Sequence, residues 1–258
     1  MKPRALAVLL PAHNEEKRLP RALEAISVAA LHPALRQVRT ITVVAADSCE
    51  DGTAEAAARA NSLVVRVEGR NVGLARSAAA RRALEILDGP AGVWFASTDA
   101  DSVVPADWLG FQYARACEGW DAVVGTVTVT HWPPRRARLA ARHQLLYAAS
   151  RPLYGPWRHP HVHGANLGVS AQAYAAVGGF PPLPVSEDRG LVAALSAGKH
   201  QVLRTAGCPV ATSGRLHPRA ADGFGDHLAA LAVKAGPRPQ GLPCRRGDDS
   251  DGRTSQKA

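Results

Sequence analysis

Short runs of buried-type residues punctuate the first hundred positions, at Ala5–Pro11, Val38–Ala46, Ser62–Val67 and Gly92–Thr98. Each of the first three is followed by an alanine-rich stretch with helical spacing, roughly Glu15–Ala30, Thr53–Ala60 and Gly73–Leu87. In the third, Leu74 and Ala78 form an apolar stripe beside a charged face at Arg81, Arg82 and Glu85. Strand alternating with helix predicts an α/β fold: a mostly parallel, Rossmann-like sheet covered by helices on both faces. Pro105 then opens a helix over "PADWLGFQYARACEGW", Asp121–Thr130 reads as a strand, and after two prolines a basic amphipathic helix begins near Arg136. The composition changes there, dividing a domain of residues 1–235 into halves 1–130 and 131–235. The second half carries "HPHVHGANLGVS", a helix "AQAYAAVGGF" closed by a glycine pair, a helix at about Glu187–Ala197 and a strand "QVLRTA". Residues 236–258, rich in glycine, proline and charge, predict a disordered tail.

The 258 residues, 46% hydrophobic and 21% charged, suffice for a real core. The opening apolar run stops at Pro11, too early for a signal peptide, and no run approaches the ~18 apolar residues of a membrane span. Cys49, Cys117, Cys208 and Cys244 form no C-x-x-C pair. That argues against a zinc ribbon or redox motif and suits reduced thiols in a cytoplasmic protein. A formal net charge of +9 favours anionic partners, but the arginines are scattered and a solvated surface accounts for them. Charge alone is no case for nucleic acid, and none is expected as a partner.

The fourth early strand runs straight into "STDADS". Residues two apart in extended chain point the same way, so Asp99 and Asp101 share one side just past a strand's carboxyl end. Open parallel sheets bind ligands there, and two carboxylates suit a hard divalent cation that keeps positions open for phosphate oxygens. Two solvated turn aspartates are the alternative. The other three strand ends are polar too: "LPAHNEE", "ADSCEDGT" and "GRNVGLARSAAARRAL". Asp47 at its strand end could accept from the imide N–H of a pyrimidine, or belong with Asp51, Gly52 and Thr53 to a helix cap. Gly73 and Arg76 stand at a helix start, where backbone N–H groups and a guanidinium favour phosphate. Together these clusters outline a nucleotide-diphosphate site.

These four segments, with "GANLGVSAQAYAAVGGF" and "SEDRGLVAAL", resemble the successive motifs of the family 2 glycosyltransferases, which have the GT-A fold, over about residues 5–200. The resemblance implies inverting transfer of a sugar from a UDP- or GDP-sugar to an acceptor hydroxyl of unknown class. It implies Mg²⁺ or Mn²⁺ on the donor diphosphate, held by Asp99 and Asp101, and Asp188, beside Glu187, as general base. A helix N-terminus complementing its macrodipole is the structural alternative for that acidic pair. The donor side would comprise Pro11, Ala12, His13, Glu15, Asp47, Gly73, Arg76, Asp99, Ala100 and Asp101. The family's second motif usually carries two aspartates; Ala46 stands where the first would, and Asp47 is taken as the base contact. The acceptor surface is expected at His163, Gly164, Ala165 and Asn166, although small residues entering a strand would serve packing equally well.

His159, His161 and His163 alternate like metal ligands on a strand, but Pro160 interrupts them and no further ligand is evident. His217 is a candidate third metal ligand or a plain loop histidine; Arg215 and Arg219 could close over the diphosphate or be surface charge. The basic helix "RRARLAARHQLL" could lie peripherally on the inner face of an anionic membrane, and a buried connector is the preferred reading. A nucleotidyltransferase would open with a glycine- and arginine-rich loop, and a Rossmann oxidoreductase needs G-x-G-x-x-G after a strand; neither occurs. The remaining rival is a non-catalytic nucleotide-sugar-binding paralogue acting through protein contacts.

Overall fold

A computed structural model describes residues 2–131 and 137–214. The strands are β1 (Ala5–Ala12), β2 (Arg39–Asp47), β3 (Leu63–Val67), β4 (Val93–Ser97), β5 (Ala122–His131), β6 (Leu167–Ser170) and β7 (Val202–Ser213). They form one seven-stranded sheet in the order β3-β2-β1-β4-β6-β5-β7. Strands β1 to β4 are mutually parallel where they pair, β7 is parallel to β5, and only β6 runs antiparallel to its neighbours β4 and β5. One sheet thus runs through both halves of the sequence.

The helices are α1 (Leu19–Ala30), α2 (Thr53–Arg59), α3 (Val72–Ile86), α4 (Trp108–Cys117), α5 (Ala137–Tyr147), α6 (Ala171–Ala176) and α7 (Glu187–Ala197). They cover both faces, which is why β1 is an unbroken apolar run rather than an alternating one. Its Ala5, Ala7 and Leu9 enter a core with Phe95, Leu167 and the residues of α3, α6 and α7. Its Leu6, Val8 and Leu10 enter a second core with Trp94 and the apolar faces of α1, α2 and α4.

Four expectations about the helices change. Helix α1 starts at Leu19 rather than Glu15, because the Glu15 carbonyl accepts from both Arg18 N and Leu19 N in a separate turn. Helix α4 likewise starts at Trp108, whose amide closes a turn onto the Pro105 carbonyl. In α3 the buried row is Ala75, Ala79 and Ala83, while Leu74 is 41% exposed. Of the predicted stripe Ala78 is buried, and Arg76 beside the row is turned inward, 2% exposed. Helix α5 is not buried at its described C-terminal end: Leu145 and Leu146 face solvent, while Tyr147 turns in, its hydroxyl accepting from Val127 N at 3.1 Å.

Strand β7 runs well past "QVLRTA". After a register break opposite Gly125 and Val127, its second part continues along β5, and Ala211 exchanges two backbone bonds with Val103 (2.7 and 3.1 Å). That bridge ties the chain just after Asp99 and Asp101 to the far end of the sheet.

Candidate active site

The register brings three polar strand ends to one edge. Ala12 lies opposite Ala46, and Leu9 opposite Ser97, so "PAHNEE", "DSCEDGT" and "STDAD" leave the sheet together. Pro11 is half-buried, Ala12 buried, and His13 Nδ1 lies 2.7 Å from the Asp47 carbonyl. Glu15 is buried, its carboxylate 3.4 Å from the Arg18 guanidinium and its amide donating to Thr53 Oγ1 at 2.8 Å.

Asp47 has a different task from the one expected. Its Oδ1 accepts from Gly69 N and Arg70 N (both 2.9 Å) and from Ser48 Oγ (3.0 Å), and its Oδ2 accepts from Asn71 N at 2.6 Å. A carboxylate offers about four acceptor positions. Buried, with three donors on Oδ1 and one on Oδ2, Asp47 moulds the loop before α3.

Gly73 and the start of α3 are likewise occupied. Gly73 N donates to the Leu183 carbonyl at 3.0 Å, Asn71 Oδ1 caps Leu74 N at 3.0 Å, and Asn71 Nδ2 donates to the Pro182 carbonyl at 3.1 Å. The helix end therefore seats the loop that leads to Glu187, rather than a phosphate. A Cβ on Gly73 would lie 2.1 Å from the Pro181 carbonyl oxygen. Gly73→Ala is expected to displace that loop at a cost of about 1–3 kcal/mol, read as a lowered midpoint in urea unfolding.

Arg76 does not reach outward to phosphate either; it is the hub of the site. Its Nε donates to Glu187 Oε1 at 2.9 Å and its Nη2 to Asp99 Oδ1 at 2.5 Å. Its Nη1 donates to Ser97 Oγ, to the Gly164 carbonyl at 3.2 Å and to the Thr98 carbonyl at 3.5 Å. Gly164 has to be glycine here, since a Cβ would sit 2.4 Å from Arg76 Nη2. Its amide in turn donates to Asp188 Oδ2 at 2.7 Å, while Asp188 Oδ1 accepts from Arg189 N at 2.7 Å. One guanidinium thus binds the turn after β4 directly to α7 and to the "HGAN" turn.

Burial opposes the Arg76 charge, but Asp99, Glu187 and Asp188 around it outweigh that and raise its pKa. Burial also raises the Asp188 pKa, against the opposing pull of Arg76 and the amides of Arg189 and Gly164. Asp99 keeps about a third of its side chain in solvent, Asp101 is half-buried and Ala100 is buried between them. Ser102 Oγ donates to Thr212 Oγ1 at 2.9 Å, fixing the turn against β7.

The acceptor set divides. Asn166 is 1% exposed, its Oδ1 accepting from Trp108 Nε1 (2.9 Å) and its Nδ2 donating to the Thr126 (2.9 Å) and Cys208 (2.8 Å) carbonyls. It bolts β5, β7 and α4 together and cannot meet an acceptor. Ala165 is buried, whereas His163 is half-exposed with Nε2 3.1 Å from the Tyr147 hydroxyl. His159 is no metal ligand: Nε2 faces the Val124 and Thr205 carbonyls and Nδ1 the His161 carbonyl, all at 3.1 Å. Among the described residues no group of three or more His, Cys, Asp or Glu side chains could hold a metal. His217, Arg215, Arg219 and the tail at 236–258 lie outside the described residues.

Two residues sequence reasoning had missed contribute here, Ser97 and Tyr147. Ser97 had a readable signal, as the last residue of β4 before the acidic turn. Tyr147 had none, because its contact depends on how α5 returns to β5.

A mostly parallel sheet with helices on both faces and an acidic turn at the end of its fourth strand is the GT-A architecture of glycosyltransferases. The chain belongs to that class through glycosyl transferase family 2, whose family model matches residues 7–178. It is a glycosyltransferase. Among curated proteins none matches by sequence. Among solved structures it is similar to a mannosyltransferase from Pyrobaculum calidifontis in complex with GDP-Man and Mn²⁺ (20% identity, TM-score 0.61). That match covers 93% of this chain and 66% of the other. It is also similar to glucosyl-3-phosphoglycerate synthase from Mycobacterium tuberculosis with Mn²⁺, UDP-glucose and phosphoglyceric acid (19% identity, TM-score 0.52), covering 90% and 79%. A third is S. aureus TarS (14% identity, TM-score 0.56), of which this chain spans 60%.

Proposed function

We propose that the protein transfers a sugar, with inversion, from a nucleotide-diphosphate donor to an acceptor hydroxyl, with Asp188 as general base. The observation that carries this reading is the Arg76 hub, which holds the turn of Asp99 and Asp101 and the pair Glu187–Asp188 in one cluster. Asp188 is suited to the role. Its two oxygens are each held by one amide, leaving a lone pair on each, and a raised pKa makes it a better proton acceptor. Glu187 is buried against Arg76 and acts by fixing α7, so it positions Asp188 rather than touching substrate.

Asp99 and Asp101 fit a hard divalent ion: both are carboxylates with exposed surface at a strand end, and Mg²⁺ or Mn²⁺ needs only one or two protein oxygens when phosphates complete the shell. Bound there, the ion would offset charge developing on the leaving diphosphate. Pro11, Ala12, His13 and Ala100 then line the donor side, and His163 with Gly164 the acceptor side. The two neighbours crystallised with GDP-mannose or UDP-glucose make such donors the first to test.

The test is a thermal-shift screen of UDP- and GDP-sugars with Mn²⁺ and with EDTA. A true donor at ~100-fold its Kd adds about 2.7 kcal/mol, about 5–10 °C for a chain of this size. The gain should vanish with EDTA and in Asp101→Asn. Binding that ignores the metal and never releases nucleoside diphosphate would instead mark a non-catalytic nucleotide-sugar binder.

A further inference from the structure

Among the described residues, exposed large apolar side chains gather on one segment, whereas Leu31, 82% exposed at the end of α1, stands apart from it. Leu145 on α5 is 74% exposed, and Leu153 and Tyr154 in the following loop are 94% and 91% exposed, with Leu146 beside them. A soluble surface scatters such residues singly; clustered, they mark an interface. The charge around them has one sign. From Ala122 to Ser186 the sequence holds six arginines and no aspartate or glutamate. Arg142, Arg151 and Arg158 flank the apolar tips, and Arg151 lies 6.0 Å over the ring of half-buried Trp157. The elements packed behind add no carboxylate. Arg204 of β7 donates to the carbonyls of His159, Pro160 and His161, while the acids that bound this stretch are engaged elsewhere: Asp121 with His200 and Gln201 N, Glu187 with Arg76, and Asp188 with Gly164 N.

We propose that α5 and the 148–158 loop form a docking surface for an anionic lipid bilayer. Leucine and tyrosine tips entering the headgroup boundary, with arginines around them pairing to lipid phosphates, are the two forces that hold a peripheral protein to a membrane. Other occupants fit less well. Nucleic acid would match the arginines but leave Leu145 and Leu153 without an apolar partner. A two-fold pairing with a second copy would bring arginine-rich, acid-free surfaces face to face. The surface adjoins the acceptor side, since Tyr147 ends α5 and its hydroxyl lies 3.1 Å from His163 Nε2. The docking itself does not depend on the glycosyl-transfer reading.

The experiment is co-sedimentation of the full chain with vesicles of phosphatidylcholine alone or mixed with phosphatidylglycerol. Binding is expected to the mixed vesicles only and to weaken as salt rises. Leu153→Asp with Tyr154→Asp should lower partitioning about tenfold or more, and Arg151→Glu with Arg158→Glu comparably, with unchanged melting temperatures because these side chains are exposed. Equal binding to neutral and mixed vesicles, or variants that bind like the parent, would overturn the proposal. So would a dimer in light scattering that the Leu153/Tyr154 change dissolves, with no vesicle binding by the parent. The donor thermal shift, measured on the same variants, should be unaltered; its absence in the parent would count against the catalytic reading and leave the docking result standing.

Discussion

Asp188→Asn is expected to abolish turnover while leaving donor affinity nearly intact. The carboxylate takes the acceptor's proton as the hydroxyl attacks, and an amide of the same size cannot; loss of a positioned general base lowers kcat by about 10²–10⁴-fold. The substitution is not structurally silent. Asp188 accepts from Gly164 N and Arg189 N with different oxygens, and asparagine has one oxygen for two donors. A cost near 1 kcal/mol in stability is expected from the bond that is lost. The pH profile separates the two effects. The base works ionised, and burial raises its pKa, so parental turnover should fall as pH is lowered, at a higher pH than an exposed aspartate would give. Residual turnover in the variant should lack that acid limb. A variant with normal kcat, or one whose donor binding collapses while turnover per bound donor is normal, would remove Asp188 from the base role.

The fold was readable wherever burial wrote itself into periodicity. The run of β1 predicts a central strand because both its faces are covered, and α1 repeats Leu19, Leu23 and Ile26 on one side. Strand β6 showed only as the strand that Gly164 and Ala165 enter: Leu167–Ser170 is too short to show a period, and its antiparallel pairing was not legible in a sequence that otherwise suggests crossovers. At the site, residue identities were legible and directions were not. Asp99 and Asp188 are brought to one cluster, but a carboxylate at a strand end looks the same whether it faces a ligand or, like Asp47, a loop more than twenty residues away. Asn166 and Gly73 failed for the same reason, since their partners lie on segments far along the chain. Arg76 was misread because charge in an alanine helix suggests solvent. The signal against that was its place beside the inward row of Ala75, Ala79 and Ala83.

Arg76→Met should lower stability by about 3–5 kcal/mol, on the order of 10 °C in Tm, the largest loss expected from any single polar substitution in the chain. Methionine fills much of the space, so the cost is not a cavity. It is the stranding of Glu187, a 4% exposed carboxylate that loses its cation, together with the Gly164 and Thr98 carbonyls and Ser97 Oγ, which lose a donor. Lysine should not rescue it, because a compact ammonium cannot reach Glu187, Asp99 and the Gly164 carbonyl as the planar guanidinium does. Arg82, on the same helix but paired with Glu85 at the surface, is the control: Arg82→Met should cost less than about 1 kcal/mol. Pairing Arg76→Met with Glu187→Gln should recover part of the loss, since the double variant leaves no buried charge behind. If it recovers nothing, the cost lies in the unmet carbonyls and the turn of Gly164. In that case Arg76 holds Asp188 in place chiefly by fixing the backbone whose amide grips it, and the charge pairing with Glu187 contributes little.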